Sequence, residues 1–250
     1  MSRETELPIF QRIQMVHIVF FDNDIAVCLK PRGVLSEGTD AASLPQLLTR
    51  ALEEKGRKTQ VFPVHRLDRD TEGLMVYALT AKAAAALSGQ IAEGRMEKEY
   101  LTVVCGTPIK AADTLTDLLF YDRARGKTYV VDRRRKGVKE AILDYTLVAN
   151  QGDRSLLRVR LHTGRTHQIR TQFASRGLPV SGDRRYGAPA ESGRMTLYCH
   201  RLRFAHPRTG ESMSFVAVPT EREGCAWKVF DDELTKINTS LSKIIEPQDL

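Results

Sequence analysis

The sequence predicts an α+β fold built on a large mixed, mostly antiparallel sheet with flanking helices. Many short segments alternate apolar with polar residues, which is typical of strands that bury one face of an antiparallel sheet. Before residue 221, only three segments have the apolar spacing and end signals of helices. With 250 residues, 42% of them hydrophobic, the chain can bury a sizeable core. We therefore expect one large domain over residues 16–220, preceded by an extension over residues 1–15.

The strands can be predicted in chain order. The segments "VHIVFF" (16–21) and "IAVCLK" (25–30) flank the turn sequence "DND", so they are predicted to form a hairpin. The same apolar and β-branched enrichment predicts further strands at 73–80, 100–106, 127–131, 141–149, 155–162, 197–204 and 212–218.

Helices are predicted at residues 43–55, 81–93 and 165–176. Thr80 can serve as the N-cap of the second helix, and Gly94 follows the end of that helix. Gly177 stops the third helix.

The C-terminal segment 221–250 predicts an amphipathic helix that packs on the preceding domain. Its apolar residues recur at spacings of 3, 4, 3, 4 and 3 and so form one stripe: Trp227, Phe230, Leu234, Ile237, Leu241 and Ile244. Three heptads or fewer make a weak coiled coil, so we expect docking on the same chain and a monomer, with dimerisation as the alternative. The segment holds seven acids and four bases, which favours a position away from any polyanion.

Composition excludes several classes of protein. No basic and apolar leader opens the chain, and no apolar run approaches the roughly 20 residues that span a bilayer. A soluble, cytoplasmic protein without membrane partners is therefore expected. The four cysteines, at positions 28, 105, 199 and 225, and the six histidines lack the close spacings of metal sites, so we expect reduced thiols and no metal.

The net charge of +7 is concentrated in two regions. Residues 122–139 hold eight bases and two acids, a net charge of +6. Residues 154–208 hold twelve arginines, no lysine and two acids. Because the guanidinium group suits bidentate phosphate contacts and stacking on bases, this bias favours nucleic acid as the partner. A solvated basic face is the alternative for either region alone.

The stretch "PVHRLDRDTEGLMVYALT" (63–80) places Asp68 between two arginines at the start of a predicted buried strand. A structural ion pair is the simple interpretation of such a carboxylate. The arginine-rich stretch "LHTGRTHQIR" (161–170) offers a second one, since Gly164 permits a tight turn that directs Arg165 back toward the sheet. A buried aspartate held by an arginine stays ionised and can act as a nucleophile or base, so Asp68 and Arg165 form a predicted pair.

Five stretches together resemble the RluA-type pseudouridine synthases, in that family's order and over about 200 residues. They are "FFDNDIAVCLKPRGVLS" (20–36), "VHRLDRDTEGL" (64–74), "MEKEYLTVVCG" (96–106), "LHTGRTHQIRTQFASRGLPVSGDRRYG" (161–187) and "LRFAHPRTGE" (202–211). The resemblance implies the pseudouridine synthase catalytic fold over residues 16–220 and an enzyme that converts uridine in RNA to pseudouridine.

The resemblance also implies roles for individual residues. The family's catalytic aspartate falls on Asp68, its active-site aromatic on Tyr100 and the arginine that pairs with the aspartate on Arg165. Arg66 falls where related enzymes insert an arginine in place of the extruded base. Together with Arg66, the candidate RNA-binding residues are His65, Arg69, Arg133, Arg134, Arg135, His167 and Arg170. The sequence departs from the family at three positions, Glu72, Tyr198 and Cys199, where serine, histidine and alanine are usual.

The isomerisation gains and loses no atom, so no cofactor is expected. The implied partner is a structured RNA, a stem-loop of tRNA or 23S rRNA, recognised without the S4-type domain that many relatives carry in front of the catalytic domain. Two other classes stay open on the residues alone. An RNA-binding module without catalysis would explain the basic regions, and a nuclease or glycosidase would need further carboxylates, of which only Asp70 and Glu72 lie near Asp68.

Overall fold

The computed structural model describes residues 16–242, and the chain divides into two compact units. The first unit comprises residues 16–96 and 204–213, and the second comprises residues 97–203 and 214–242. The predicted extension over residues 1–15 lies outside the described residues.

The regular elements follow one another as short strands with few helices between them. The strands are β1 (His17–Phe21), β2 (Ile25–Lys30), β3 (Phe62–Pro63), β4 (Glu72–Ala78), β5 (Glu97–Cys105), β6 (Ala112–Asp122), β7 (Lys127–Val131), β8 (Val138–Gln151), β9 (Arg154–Leu161), β10 (Leu197–Ala205) and β11 (Ser212–Val216). The α-helices are α1 (Leu44–Glu54), α2 (Ala81–Ala92), α3 (Gln168–Ala174) and α4 (Asp231–Ser242). Short 3₁₀ helices cover Arg184–Tyr186, Ala190–Ser192 and Ala226–Phe230.

The first unit is built on the predicted hairpin, which is confirmed. Strands β1 and β2 pair antiparallel, and the Asp22 side chain closes their turn by accepting the N–H groups of Asp24 and Ile25. Strand β2 pairs antiparallel with β4, and β3 also pairs with β4. Helix α1 buries four leucines along one face: Leu44, Leu47, Leu48 and Leu52. Helix α1 therefore buries the apolar face that its sequence pattern predicts.

The second unit contains a six-stranded antiparallel sheet in the order β10, β5, β9, β8, β6, β7. Strand β6 was not among the predicted strands. Only Leu115 and Leu119 of this strand are buried, and Thr116, Asp117 and the half-buried Leu118 lie between them, so its apolar alternation is weak. The predicted α+β class with a mostly antiparallel sheet is confirmed.

Two helix predictions have different outcomes. Thr80 caps α2, since its hydroxyl accepts the N–H of Ala83 at 3.1 Å, as predicted. The third helix begins at Gln168 and not at residue 165, because His167 has a positive φ of 53°. A left-handed residue cannot belong to a right-handed helical turn, so the residues before it form a separate turn.

Residues 226–237 of the C-terminal segment pack within the second unit. Trp227, Phe230 and Leu234 are fully buried against Leu101, Val103, Leu156, Tyr198 and Val218. Trp227 and Phe230 belong to a 3₁₀ helix and Leu234 to α4, so the stripe is not one continuous α-helix. Ile237 packs at the edge of this cluster, while the Leu241 side chain and Ile244 lie outside the described residues.

Candidate active site

Asp68 lies in a loop of the first unit whose peptide groups are fixed on both sides. On one side, the buried Ser36 hydroxyl donates to the Leu67 carbonyl at 2.9 Å and accepts the Leu67 N–H at 3.3 Å. On the other side, the Asp68 carbonyl accepts the N–H of Thr71 at 3.1 Å and closes a turn just before β4. The Asp68 side chain itself is half-buried. The backbone therefore presents this carboxylate from a constrained position.

The end of β2 and the segment after it hold Arg69, the next residue of the Asp68 loop. The Lys30 amine donates to the Arg69 carbonyl at 2.8 Å and to the Pro31 carbonyl at 2.9 Å. Gly33 donates its N–H to the Arg69 carbonyl, and the Arg69 guanidinium donates back to the Gly33 carbonyl. Gly33 has a φ of +79°, a conformation that L side chains rarely adopt. The sequence "KPRG" thus forms a support for the Asp68 loop.

Lys30 is an unusual support because its side chain is 1% exposed. Burial lowers the pKa of the Lys30 amine to about 8, while the nearby carboxylates of Glu72, Asp70 and Asp68 act in the opposite direction. Glu72, one of the three departures from the family pattern, raises the pKa of Lys30 more than the other two carboxylates do. Its negative charge therefore has a local cationic partner.

The other candidates around Asp68 differ in exposure. Arg66 is exposed, and its guanidinium pairs with the exposed carboxylate of Glu37 at 3.0 Å. Exposed pairs of this kind are weak, so Arg66 can exchange this partner for another. His65 is half-buried, and its Nε2 atom accepts the N–H of Val76 at 3.1 Å. Asp70 is exposed and lies 3.9 Å from Arg32.

Tyr100 lies on β5 in the second unit, paired with Val159 of β9 and Cys199 of β10, and is 5% exposed. Burial raises the pKa of the Cys199 thiol to about 12, against the opposite effects of the Lys98 charge and of a hydrogen bond with Tyr100. Desolvation likewise lowers the pKa of Lys98. Cys199, a departure from the family's usual alanine, is therefore a neutral thiol in contact with the candidate aromatic residue.

Arg165 lies in the turn between β9 and α3, also in the second unit. Its guanidinium Nε donates to the Glu140 carbonyl at 2.9 Å, and its backbone N–H donates to the Gln168 side-chain oxygen at 3.0 Å. That same oxygen accepts the Thr163 hydroxyl at 2.8 Å, and the Gln168 amide donates to the Ile142 carbonyl at 3.1 Å. The buried Gln168 side chain thus ties the Arg165 turn to strand β8.

Two candidate RNA-binding residues of the second unit have side-chain partners within that unit. Arg170 is 6% exposed, and its guanidinium makes a bidentate pair with the buried Asp183, at 2.5 and 2.9 Å. This pairing assigns Arg170 to packing of the unit and not to an open surface. His167 is half-buried, with its Nδ1 atom 2.9 Å from the Tyr186 hydroxyl.

Three arginines of the basic segment 122–139 are exposed in the loop between β7 and β8, at positions 133, 134 and 135. Arg134 pairs with Glu140 at 2.7 Å, and the Arg135 guanidinium lies 4.8 Å from the centre of the Phe120 ring. Arg133 is their exposed neighbour. Their exposure is suited to contacts with a polyanion.

Asp68, His65, Arg66 and Arg69 belong to the first unit, and all other predicted site residues belong to the second. The pairing of Asp68 with Arg165 therefore stays a prediction. Sequence reasoning did not find Ser36, Lys30, Gln168 or Tyr186 as supports. Ser36 and Lys30 reach their partners across 31 and 39 residues and Tyr186 reaches His167 across 19, whereas Gln168 lies inside the arginine-rich stretch itself.

Asp22, Asp24 and His206 of the first unit form the one cluster, within residues 16–242, whose ligand atoms lie close enough to suggest a metal site. These atoms are already engaged in hydrogen bonds. His206 Nδ1 accepts the N–H groups of residues 208 and 209, so Nε2 carries the proton and donates to Asp22 at 2.8 Å. Asp24 pairs with Arg208 at 2.6 Å. The cluster is best explained as a structural network.

The class of this protein follows from comparison with known families, which gives an RNA pseudouridine synthase. The model of the RNA pseudouridylate synthase family matches residues 24–175, more than half of the chain. The chain belongs to this family, in its RluA-type branch.

Curated relatives agree with this assignment. An uncharacterized RNA pseudouridine synthase of Aquifex aeolicus is 35% identical over 218 residues, covering 80% of this chain and 68% of the relative. The ribosomal large subunit pseudouridine synthase C of Haemophilus ducreyi is 30% identical, covering 87% and 71%. The ribosomal large subunit pseudouridine synthase D of Pasteurella multocida is 33% identical, covering 82% and 68%.

Solved structures share the fold. Human RNA Pseudouridylate Synthase Domain Containing 4 has a TM-score of 0.68 at 20% identity, covering 91% of this chain and 95% of that one. Human RNA Pseudouridylate Synthase Domain Containing 1 has a TM-score of 0.67 at 23% identity, covering 88% and 86%.

Among the helices that the structure describes, none is both long and apolar enough to cross a bilayer.

Proposed function

We propose that this pseudouridine synthase modifies particular uridines in a stem-loop of tRNA or 23S rRNA, with Asp68 as the catalytic carboxylate. The observation that carries the proposal is the fixed loop around Asp68, bound through Ser36 on one side and through Lys30 and Gly33 on the other. Catalytic groups need such fixed geometry. The relatives named for the large ribosomal subunit favour rRNA as the substrate.

The reaction asks little of the protein beyond one carboxylate and a bound base. The bond from C1′ to N1 breaks, the uracil turns, and a bond from C1′ to C5 forms. A proton leaves C5 and a proton is gained at N1, so substrate and product are isomers and no co-reactant is consumed. The Asp68 carboxylate can stabilise positive charge on the sugar, attack C1′ or remove a sugar proton, and these three routes stay open.

The uridine must leave its helix before it can react, at a cost of about a few kcal/mol. Arg66 is suited to take the place of the extruded base, because it is exposed and its partner Glu37 forms a weak surface pair with it. Tyr100 is assigned to stacking on the uracil, and since its ring is 5% exposed, part of the ring must become uncovered when RNA binds. Arg165 is assigned to pairing with the catalytic carboxylate.

The exposed arginines at positions 133–135 are proposed to bind phosphates, and Arg69 lies beside Asp68 on the same loop. His65 and His167 are held by a backbone amide and by a tyrosine hydroxyl respectively, which favours supporting roles for both. A cytoplasmic monomer is the proposed form of the enzyme.

The decisive substitution is Asp68→Asn, with Asp70→Asn as the matched control. Loss of the charge at residue 68 should slow pseudouridine formation by at least about 100-fold, while RNA still binds and the protein still folds. Asp70 is exposed and 3.9 Å from Arg32, so its substitution should leave the rate near that of the wild type. Release of tritium from uridine labelled at C5 measures the rate. An Asp68→Asn variant with near-normal turnover would contradict the catalytic role proposed for Asp68.

The substrate can be identified separately by mapping pseudouridine in total RNA from cells with and without the protein. Disappearance of a site from 23S rRNA alone would assign the enzyme to the large ribosomal subunit, and disappearance from tRNA alone would overturn that preference. An unchanged map in both RNAs would contradict the proposed substrate class.

A further inference from the structure

The turn that carries Arg165 contains a strained residue. His167, two positions after Arg165, has a φ of 53°, and it is the single non-glycine residue with positive φ in the part of the chain that the structure describes. Such a conformation persists only where surrounding contacts hold it. The groups that hold His167 therefore also determine where the Arg165 turn lies.

Tyr186 provides one of these contacts through its hydroxyl group. The oxygen accepts the backbone N–H of Thr128 at 2.8 Å and lies 2.9 Å from Nδ1 of His167. With one N–H already donated to the oxygen, the hydroxyl proton is available for Nδ1. Burial raises the pKa of the Tyr186 hydroxyl, so the group stays a donor near neutral pH.

Thr128 joins the same contacts to the turn itself. Its hydroxyl donates to the Thr166 carbonyl at 2.8 Å, and its own carbonyl accepts the Thr171 hydroxyl at 2.8 Å. Thr166 is the residue directly after Arg165, and Thr171 lies in α3. Thr128 is 2% exposed, so these bonds are shielded from water. Strand β7 is thereby fastened to the turn and to the helix that follows it.

We propose that Tyr186 is a positioning residue for Arg165, acting through its hydroxyl bonds to His167 and Thr128. Arg165 is anchored at its guanidinium by the Glu140 carbonyl, and Tyr186 sets the backbone from which that side chain extends. The inference rests on the catalytic role proposed for Arg165. It predicts that removal of one buried hydroxyl slows the chemical step although that hydroxyl touches no substrate.

Tyr186→Phe tests this directly, because the ring and its packing stay while the oxygen is removed. The single-turnover rate should fall about 10- to 100-fold, as for a misplaced catalytic group, with the RNA dissociation constant nearly unchanged. Tyr145→Phe is the matched control. Tyr145 is a buried tyrosine of the same unit whose hydroxyl donates to the Lys110 carbonyl at 3.1 Å, and the Arg165 turn does not use that bond.

Both variants should lower the melting temperature slightly, but only Tyr186→Phe should slow the chemical step. Equal slowing by the two substitutions would show that reduced stability is the cause and would overturn the proposal. A Tyr186→Phe variant as fast as the wild type would overturn it as well.

A double-mutant cycle with Arg165→Lys shows whether Tyr186 acts through Arg165. Lysine keeps the charge but lacks the planar fork, so this variant should be slow with a measurable residual rate. Adding Tyr186→Phe to it should then have little further effect. Fully additive decreases in rate would show that Tyr186 acts elsewhere, while the role of Arg165 would stand. A normal rate for Arg165→Lys alone would instead remove the proposed use of Arg165, and the Tyr186 proposal with it.

Discussion

Lys30 supports the Asp68 loop with an amine that is almost removed from water. The amine donates to the carbonyls of Pro31 and Arg69, at 2.9 and 2.8 Å. Lys30→Met keeps the volume and removes both bonds, each worth about 1.5–3 kcal/mol for a charged donor, while the Arg69 carbonyl keeps the N–H of Gly33. We expect a lower free energy of unfolding, measured in urea, and slower catalysis because the Asp68 loop loosens. Unchanged stability and rate would contradict the supporting role.

The pH dependence of that difference can be predicted from the lowered pKa. Burial brings the pKa of Lys30 from 10.5 to about 8 in the folded protein. Between about pH 8 and 10.5 the unfolded chain therefore binds more protons at this residue, and the stability contribution of Lys30 rises with pH. The difference in free energy of unfolding between wild type and Lys30→Met should change across this window by about 1.4 kcal/mol per unit of pKa shift. A difference that stays flat from pH 8 to 10 would show that the amine is not desolvated.

Individual site residues can be proposed from sequence where the chemistry lies in a short motif. Asp68 and Arg165 each stand within such a stretch, and their roles stay predictions. The hydrogen bond from Ser36 to Leu67 joins residues 31 apart in the sequence, and that from Lys30 to Arg69 joins residues 39 apart. No local sequence pattern therefore indicates either contact. The prediction of Arg170 as an RNA contact also followed the local run of bases. Its partner Asp183 satisfies the guanidinium in the interior, a fact that only the fold supplies.

Among the elements, predictions were best where one face of a strand or helix is strongly apolar. The hairpin of β1 and β2 and the four leucines of α1 have this property. Strand β6 does not, because only Leu115 and Leu119 among its residues are buried. The prediction that α3 starts at residue 165 was wrong. The Gln168 side chain holds the preceding turn, and His167 adopts a left-handed conformation. Tertiary contacts override helical spacing there.

The loop between β7 and β8 provides a test of phosphate binding at the level of an element. Replacing Arg133, Arg134 and Arg135 with glutamine should weaken binding of all RNAs alike. The slope of log affinity against log salt should flatten by about 0.7 to 0.9 for each phosphate that is no longer neutralised. Arg134 and Arg135 also interact with Glu140 and Phe120, so the flattening should correspond to between one and three phosphates.

The matched control for this loop is the triple replacement by lysine, which keeps the charge at the same three positions. It should keep the salt slope, because counterion release depends on charge and not on the guanidinium fork. Equal slopes for the glutamine triple and the wild type would show that the loop is only a solvated basic segment.

In the whole molecule, the basic segments and the acidic C-terminal segment occupy different parts of the sequence. The basic residues concentrate in segments 122–139 and 154–208, whereas residues 224–250 hold five acids and three bases. The acidic segment also carries the buried side chains Trp227, Phe230 and Leu234. Its contribution is therefore expected to be to stability and not to RNA affinity.

Deletion of residues 224–250 should expose the apolar surface of Leu101, Val103 and Leu156, against which this segment packs. A lower melting temperature and lower solubility should result, with the RNA dissociation constant little changed because the deleted residues are net acidic. Trp227→Ala is the milder companion variant and should cost about 3–5 kcal/mol of unfolding free energy through the cavity it leaves. Lys236→Gln, a change at an exposed position of α4, is the control and should leave both quantities near wild type. If the truncated protein melted at the wild-type temperature, the buried cluster would contribute nothing to the fold. If RNA affinity fell far more than stability, the C-terminal segment would have to be assigned to RNA binding despite its charge.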